Sequence, residues 1–376
     1  VWAKKIRGKL HYFGPWEDPA GALARYEAEK EALHSGITPR PDPEAVTVKD
    51  VANAFLNHKQ ALVKAGELAP VTFEKYLDAV TELLAQVGKG RLAADLGPDD
   101  FAAVRARMSA KWGPYRLGDC VQHIRSAFKY AYEVGLLDRP ARFGPGFKGP
   151  SRKTVRLHRA AQGPKLFTAE EVRRLIDAAN QPVKAMLLLG INCGFGNADC
   201  GKLPVSALDL DGGWLDYPRP KTGTPRRCPL WPETVAAIRE ALAARPKPRA
   251  ATHAALAFLT HSGRGWDSDS PGGALSRETR RLMQALGIGR PGLNFYALRH
   301  TFRTVADGVK DQPAADLIMG HEVAHMSSVY REGIDDERLR AVADHVRAWL
   351  YPPEKSAKDD GSTPADAEDG AEAAGE

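Results

Sequence analysis

The sequence predicts a mainly α, multidomain fold, in which an all-α domain precedes a mixed domain of helices and one small antiparallel β-sheet. Three observations lead to it. From Thr47, apolar residues recur at helical spacing for about a hundred residues, the size of one domain. A stretch rich in proline, glycine and base, residues 139–165, then breaks that pattern. Beyond it helical patterns return, interrupted where Trp214–Tyr217 and Arg227–Leu230 flank Arg219-Pro220-Lys221-Thr222-Gly223-Thr224 like the arms of a hairpin.

The expected division is a basic and aromatic ribbon with one helix over 1–45, an all-α domain over 46–138, a linker over 139–165, a mixed domain over 166–352 and a tail over 353–376. Residues 1–17 read as two short strands turning near Gly8. There Lys4, Lys5, Arg7 and Lys9 alternate with Trp2, Tyr12, Phe13 and Trp16, which suits a ribbon laid on nucleic acid and equally a hairpin packed on the helix from Pro19 to His34. Gly36–Pro43 reads as a linker. Four amphipathic helices follow, carrying Val48, Val51 and Phe55, then Tyr76, Val80 and Leu83, then the segment Asp99–Met108, then Val121, Ile124 and Phe128. Lys75 and Arg125 lie off their apolar stripes as candidate DNA contacts.

Residues 139–165 contain no acid, and Arg152 and Lys153 within them are further candidates for phosphate contact; the stretch reads as a clamp closing round a duplex or as a solvated tether. Thr168-Ala-Glu-Glu171 is a capping box opening the next domain. Pro182–Ile191 is apolar on most sides and so expected to be buried. Phe258-Leu259-Thr260 reads as a buried strand, and Ser276 as the cap of a helix to Leu286. A last helix, opened by Asp335 and Asp336, carries Leu339, Val342, Val346 and Leu350 on one stripe, to be covered within the chain or by a neighbouring copy.

The net charge is +6, but the segment from Glu354 holds eight acids and two bases, so the rest carries +12. A body that basic favours a polyanion, while the acidic, weakly apolar tail is expected to be disordered. Four cysteines are too few and too irregular for a disulfide framework or a zinc knuckle. No run of about 18 apolar residues occurs, so no membrane span and a cytoplasmic location are expected. The start at Val1, without methionine, is expected to reflect missing residues.

Residues 293–330, LNFYALRHTFRTVADGVKDQPAADLIMGHEVAHMSSVY, gather Arg299, His300, Arg303, His321, His325 and Tyr330. Guanidiniums fork onto phosphate, imidazoles donate to it, and a phenol can attack it. Leu298, Phe302 and Val305 share one face of a helix over Ala297–Ala306, with Arg299 and Arg303 a turn apart on another. Pro313 fits the first turn of the next helix and Gly320 its stop.

The succession Arg299-His300-Thr301-Phe302, Met319-Gly320-His321 and Tyr330 resembles the closing motifs of the tyrosine recombinase, or phage integrase, family. The resemblance covers about residues 46–350. It implies a core-binding domain, a catalytic domain of the tyrosine recombinase type, and site-specific DNA recombination or integration through a 3′-phosphotyrosyl intermediate, as on a mobile genetic element in a bacterial or phage setting. By that resemblance Tyr330 is the nucleophile, Arg299 clamps the phosphate, His321 hydrogen-bonds it, and Lys221 protonates the leaving oxygen. Tyr296, where the family has histidine, and His300, which a helix turns about 100° from Arg299, are secondary candidates. The implied partners are double-stranded DNA and further copies of the chain, with no metal or other cofactor.

One position departs from the pattern. Aligned on Gly194 and Asp199, the family's first clamping arginine falls at Gly196. Either the site is dead, or a neighbour among Lys202, Arg219, Arg226 and Arg227 substitutes, or the alignment shifts. The competing functions are a DNA-binding protein that keeps the architecture without the chemistry, and a type IB topoisomerase.

Overall fold

The structure, a computed structural model, describes residues 1–35, 45–266, 273–321 and 333–352. Its contacts divide between Gln162 and Gly163 into two compact units. The expected linker 36–43, His325, Tyr330 and the acidic tail lie outside the described residues.

In the first unit, β1 (Trp2–Ile6) and β2 (Lys9–Gly14) pair antiparallel, with Ile6 opposite Lys9. The turn between them places Arg7 and Gly8 at φ 50° and 84°, the left-handed geometry that tight hairpins select. Helix α1 (Pro19–His34) begins at Asp18, whose side chain accepts the Gly21 N–H at 2.8 Å. Ile6, Phe13, Ala22 and Leu33 form a small core under the hairpin, whereas Trp2, Tyr12 and Trp16 stay exposed. Packing thus takes one of the four aromatics.

Helices α2 (Val48–Lys64), α3 (Pro70–Val87), α4 (Pro98–Lys111) and α5 (Pro114–Glu133) form the all-α bundle. A Thr47–Asp50 capping box starts the first, and a proline in the first turn starts each of the others. Val48, Val51, Leu83, Phe101, Val104, Ile124 and Phe128 make its core.

The stretch 139–165 is not a tether throughout. Phe147 is wholly buried in this core, 5.2 Å from Phe101 and stacked on Phe143 at 5.5 Å between ring centroids. Residues Arg152–Ala161 form helix α6, which buries none of its side chains and is capped by Ser151. The composition reads as an open chain because what holds it, Phe143, Phe147 and the carbonyls that accept from Arg105 and Arg125, is sparse in a run otherwise fit for solvent.

The second unit is built round α8 (Val183–Asn192), buried along nearly its whole length. Helices α7 (Ala169–Ala178), α9 (Asn197–Gly201), α10 (Pro232–Ala243), α11 (Gly273–Ala285), α12 (Ala297–Ala306), α13 (Gln312–Met319) and α14 (Asp336–Leu350) complete the helical set among the described residues. Close packing of α12 on α8 needs Gly190, where a Cβ would lie 2.8 Å from Leu298 Cδ1. Strands β4 (Trp214–Asp216) and β5 (Arg227–Pro229) form the expected hairpin, and β3 (Leu208–Asp209) adds a third antiparallel strand.

Two local expectations fail. Phe258–Thr260 is buried at Phe258 and Leu259 but pairs only through an isolated bridge from Leu259 to Gly265, because the chain turns back so that the Thr260 N–H bonds the Arg264 carbonyl. Ser276 lies inside α11, and its hydroxyl accepts from the Asn197 amide at 2.8 Å rather than capping. The stripe of α14 is covered within the chain: Leu339, Val342, Val346 and Leu350 are buried, and the Trp231 indole N–H donates to the Ala343 carbonyl at 3.0 Å. Cys120, Cys193, Cys200 and Cys228 are buried free thiols. No helix among the described residues is long and apolar enough to cross a membrane.

Candidate active site

Arg299 is the centre of the site. Its place on the buried side of α12 leaves it 2% exposed, and its guanidinium donates to the Gly194 carbonyl and, at 2.9 Å, to the Met319 carbonyl. Those carbonyls belong to the ends of α8 and α13, so one side chain ties together the two loops that flank it. Glycine is required at Gly194, with φ 62° and a Cβ position 3.1 Å from Phe302 and 3.2 Å from Met319. Burial, then Arg219, pushes the Arg299 guanidinium down to about 10, which leaves it charged at neutral pH.

His321 follows directly. Helix α13 stops at Gly320 in the left-handed region, and the His321 N–H closes back onto the Asp316 carbonyl at 2.9 Å. The imidazole Nδ1 sits 3.3 Å from Asp316 Oδ1, which orients the ring. Burial and the neighbouring Arg299 lower its pKa, outweighing Asp316, so the ring is predominantly neutral at pH 7. Arg303, the other arginine of α12, is taken up by Asp307 and Asp316 at 2.9 and 2.5 Å.

Gly196 caps α9, its N–H bonded to Asp199 Oδ2 at 2.6 Å. The space a side chain would take there is filled: a Cβ on Gly196 would lie 3.2 Å from two ring carbons of Tyr296 and 3.3 Å from Asp199. The two departures from the family pattern are therefore in contact. Tyr296 is 42% exposed, and His300 packs edge-on against its ring at 5.4 Å between centroids, on the exposed side of the helix.

The β4–β5 hairpin brings further cations. Lys221 stands exposed at its turn, which is closed by the Gly223 N–H on the Arg219 carbonyl at 2.8 Å. Arg226 points inward with its side chain fully buried, bonded to Asp199 Oδ1 at 3.2 Å and to the Tyr217 carbonyl at 3.0 Å, and it lies 4.0 Å over the Phe195 ring. Its Nη1 has no hydrogen-bond partner among the described residues. Arg227 points outward, held by Asp216 and Asp336 and stacked 4.1 Å over Trp214. Lys202 offers its carbonyl to the Tyr217 hydroxyl at 2.9 Å. Arg226 and Arg227 at the mouth of a strand must face opposite ways, but the sequence does not say which of them turns inward.

The structure thus gathers Arg299, His321, Tyr296, Arg219 and Arg226, with Arg227 and His300 turned outward and Lys221 at the hairpin tip. Of the candidate DNA contacts, Lys5, Lys9, Lys75, Arg152 and Lys153 are exposed. Lys4 lies 4.2 Å over the Tyr26 ring, and Arg7 donates to the His34 carbonyl at 3.2 Å. Arg125 is engaged within its own unit, donating to the Phe147 carbonyl at 2.8 Å with its guanidinium 4.5 Å over Phe143, because the buried phenylalanines bring that carbonyl to it. Among the described residues no three His, Cys, Asp or Glu side chains group as metal ligands.

Residues 165–336 match the model of the phage integrase family. The fold is that of the tyrosine recombinases. It is similar to the Tn1549 transposon integrase in complex with circular intermediate DNA, with TM-score 0.58, 16% identity, and 80% of this chain and 100% of that one covered. It is also similar to a lambda integrase dimer bound to a COC′ core site, with TM-score 0.54, 17% identity and coverage of 87% and 91%. A lambda integrase tetramer on a Holliday junction gives TM-score 0.51, 18% identity and coverage of 87% and 93%. No curated protein sequence matches the chain.

Proposed function

We propose that the protein is a site-specific DNA recombinase or integrase that cuts and rejoins double-stranded DNA through a 3′-phosphotyrosyl intermediate. The observation that carries this reading is Arg299, which is buried, charged and paired with no carboxylate among the described residues, beside a largely neutral His321. A guanidinium so placed is costly unless an anion completes it, and a phosphodiester is the anion the family handles.

In this mechanism the phenolic oxygen of Tyr330, having lost its proton, bonds to phosphorus while the bond from phosphorus to the 5′-oxygen breaks. Arg299 neutralises the nonbridging oxygens and His321 hydrogen-bonds them as charge builds. Lys221 gives a proton to the departing 5′-oxygen, an alkoxide that leaves poorly without one. The phosphotyrosyl ester retains the bond energy, so religation reverses the step. Tyr296 presents a hydroxyl beside the clamp and His300 braces its ring. The DNA-bound dimer and tetramer of lambda integrase support self-association on DNA. Lys5, Lys9, Lys75, Arg152 and Lys153 serve as backbone contacts.

The second reading, a DNA-binding protein without the chemistry, draws on Gly196. The test is a nicked suicide duplex from the DNA flanking the protein's own gene. A covalent adduct on a denaturing gel, absent from Tyr330→Phe, is expected. Binding without any adduct supports the second reading.

A further inference from the structure

We propose that Arg219 is the second guanidinium of the phosphate clamp, replacing the side chain that Gly196 does not supply, with Arg226 as its buried positioning partner. The proposal rests on the strand-exchange reading above and names the residue that completes its site.

Gly320 lies where the hairpin meets the end of α13. A Cβ there would lie 3.0 Å from Arg219 Cβ and 3.5 Å from the Cδ atoms of both Arg219 and Arg226. Arg219 and Arg226 therefore lay their stems on the backbone of one residue. That residue joins Met319, whose carbonyl holds Arg299, to His321. Three guanidiniums and an imidazole converge about it, and the two carboxylates beside them are already engaged, Asp199 by Arg226 and the Gly196 N–H and Asp316 by Arg303 and the His321 ring. The excess positive charge has no counterion among the described residues.

The other candidates are spoken for. Arg227 is held by Asp216 and Asp336, and Arg303 by Asp307 and Asp316. Arg219 is half-buried and makes no ion pair with the described residues, while Arg226 keeps a wholly buried Nη1 without a partner. At Gly196 itself the Tyr296 ring occupies the space, so the clamp's second cation must come from elsewhere. The hairpin delivers it two residues from Lys221, the proton donor. Cation and acid thus arrive on one element.

Arg219 is half-exposed, so Arg219→Ala is expected to fold, and its melting temperature checks this. The full chain, labelled with 15N-arginine, is titrated with inorganic phosphate. The Nε–H signals of Arg219 and Arg299, assigned through Arg219→Lys and Arg299→Lys, should move together and saturate. Arg219→Ala should weaken phosphate binding about tenfold or more. With nicked duplexes, Arg219→Ala should slow adduct formation by about a hundredfold, Arg219→Lys should restore part, and a methylphosphonate at the cleaved position should narrow the difference, because one anionic oxygen is gone. An Arg219 signal that ignores phosphate while that of Arg299 responds overturns the proposal, as does an adduct rate in Arg219→Ala within about twofold of wild type. If the wild-type chain forms no adduct, strand exchange fails as a reading, and the phosphate titration still decides the clamp.

Discussion

Replacing Asp199 with asparagine tests whether the Arg226–Asp199 pair holds the site together. Asp199 accepts the Gly196 N–H at 2.6 Å through one oxygen and Arg226 Nη2 at 3.2 Å through the other, and the two side chains are 9% and 0% exposed. Asparagine keeps one acceptor for Gly196 but turns an amide donor toward the guanidinium. Arg226 would then remain buried with the Tyr217 carbonyl and the faces of Phe195 and Tyr217 as its compensation among the described residues. Breaking one partner of a buried pair costs about 3–5 kcal/mol, and the retained Gly196 bond argues for about 3. In a unit of this size that lowers the melting transition by roughly 6–12 °C. Calorimetry reads it, with Trp214 and Trp231, both buried in the second unit, reporting by fluorescence which transition moves. Asp211→Asn is the control, since its pair with Arg239 is at the surface and is expected to cost less than about 0.5 kcal/mol. A shift below about 2 °C for Asp199→Asn would refute the argument, showing that the Arg226 charge is compensated elsewhere.

Phe147→Ala should destabilise the first unit by about 3–4 kcal/mol in urea titration, the cost of emptying a wholly buried aromatic site, whereas a tether residue would cost almost nothing. Glu82 is held below the usual carboxylate range by Lys111 and Arg107, so its contribution is complete above about pH 4.3 and is lost as pH falls through the lowered value. Glu82→Gln should remove that acid-sensitive component and, because both cations are half-exposed, cost only about 1 kcal/mol at pH 7. His321 binds its proton less readily in the folded chain than in the unfolded one. The wild type should therefore lose stability relative to His321→Gln as pH falls below about 6.5, measured by melting temperature across a pH series.

Much of the fold was legible because helices are written locally. The Thr47–Asp50 and Thr168–Glu171 boxes, the first-turn prolines and the stripes of α2 to α5 are signals within four residues of one another, and each element formed near its expected bounds. The order and spacing of Arg299, Gly320 and His321 placed those residues together in the same way, since a helix, a left-handed stop and the residue after it leave little freedom in where those side chains stand.

Other features depended on partners far along the chain. Arg226 and Arg227 are adjacent and chemically identical, yet one is buried against Asp199, 27 positions away, and the other bridges to Asp336, 109 positions away. Strand alternation says that they part, but not which faces inward. Phe147 looked like part of a tether until Phe101 supplied a surface for it to bury against. The Tyr296 ring over Gly196 joins two departures a hundred residues apart into one contact. The sequence determined the elements and nominated candidate residues for the site, because helices, stops and turns follow from short-range sterics and periodicity. The tertiary structure alone decided which charges are buried, which are neutralised and which still lack a counterion, because those depend on what long-range packing brings beside them.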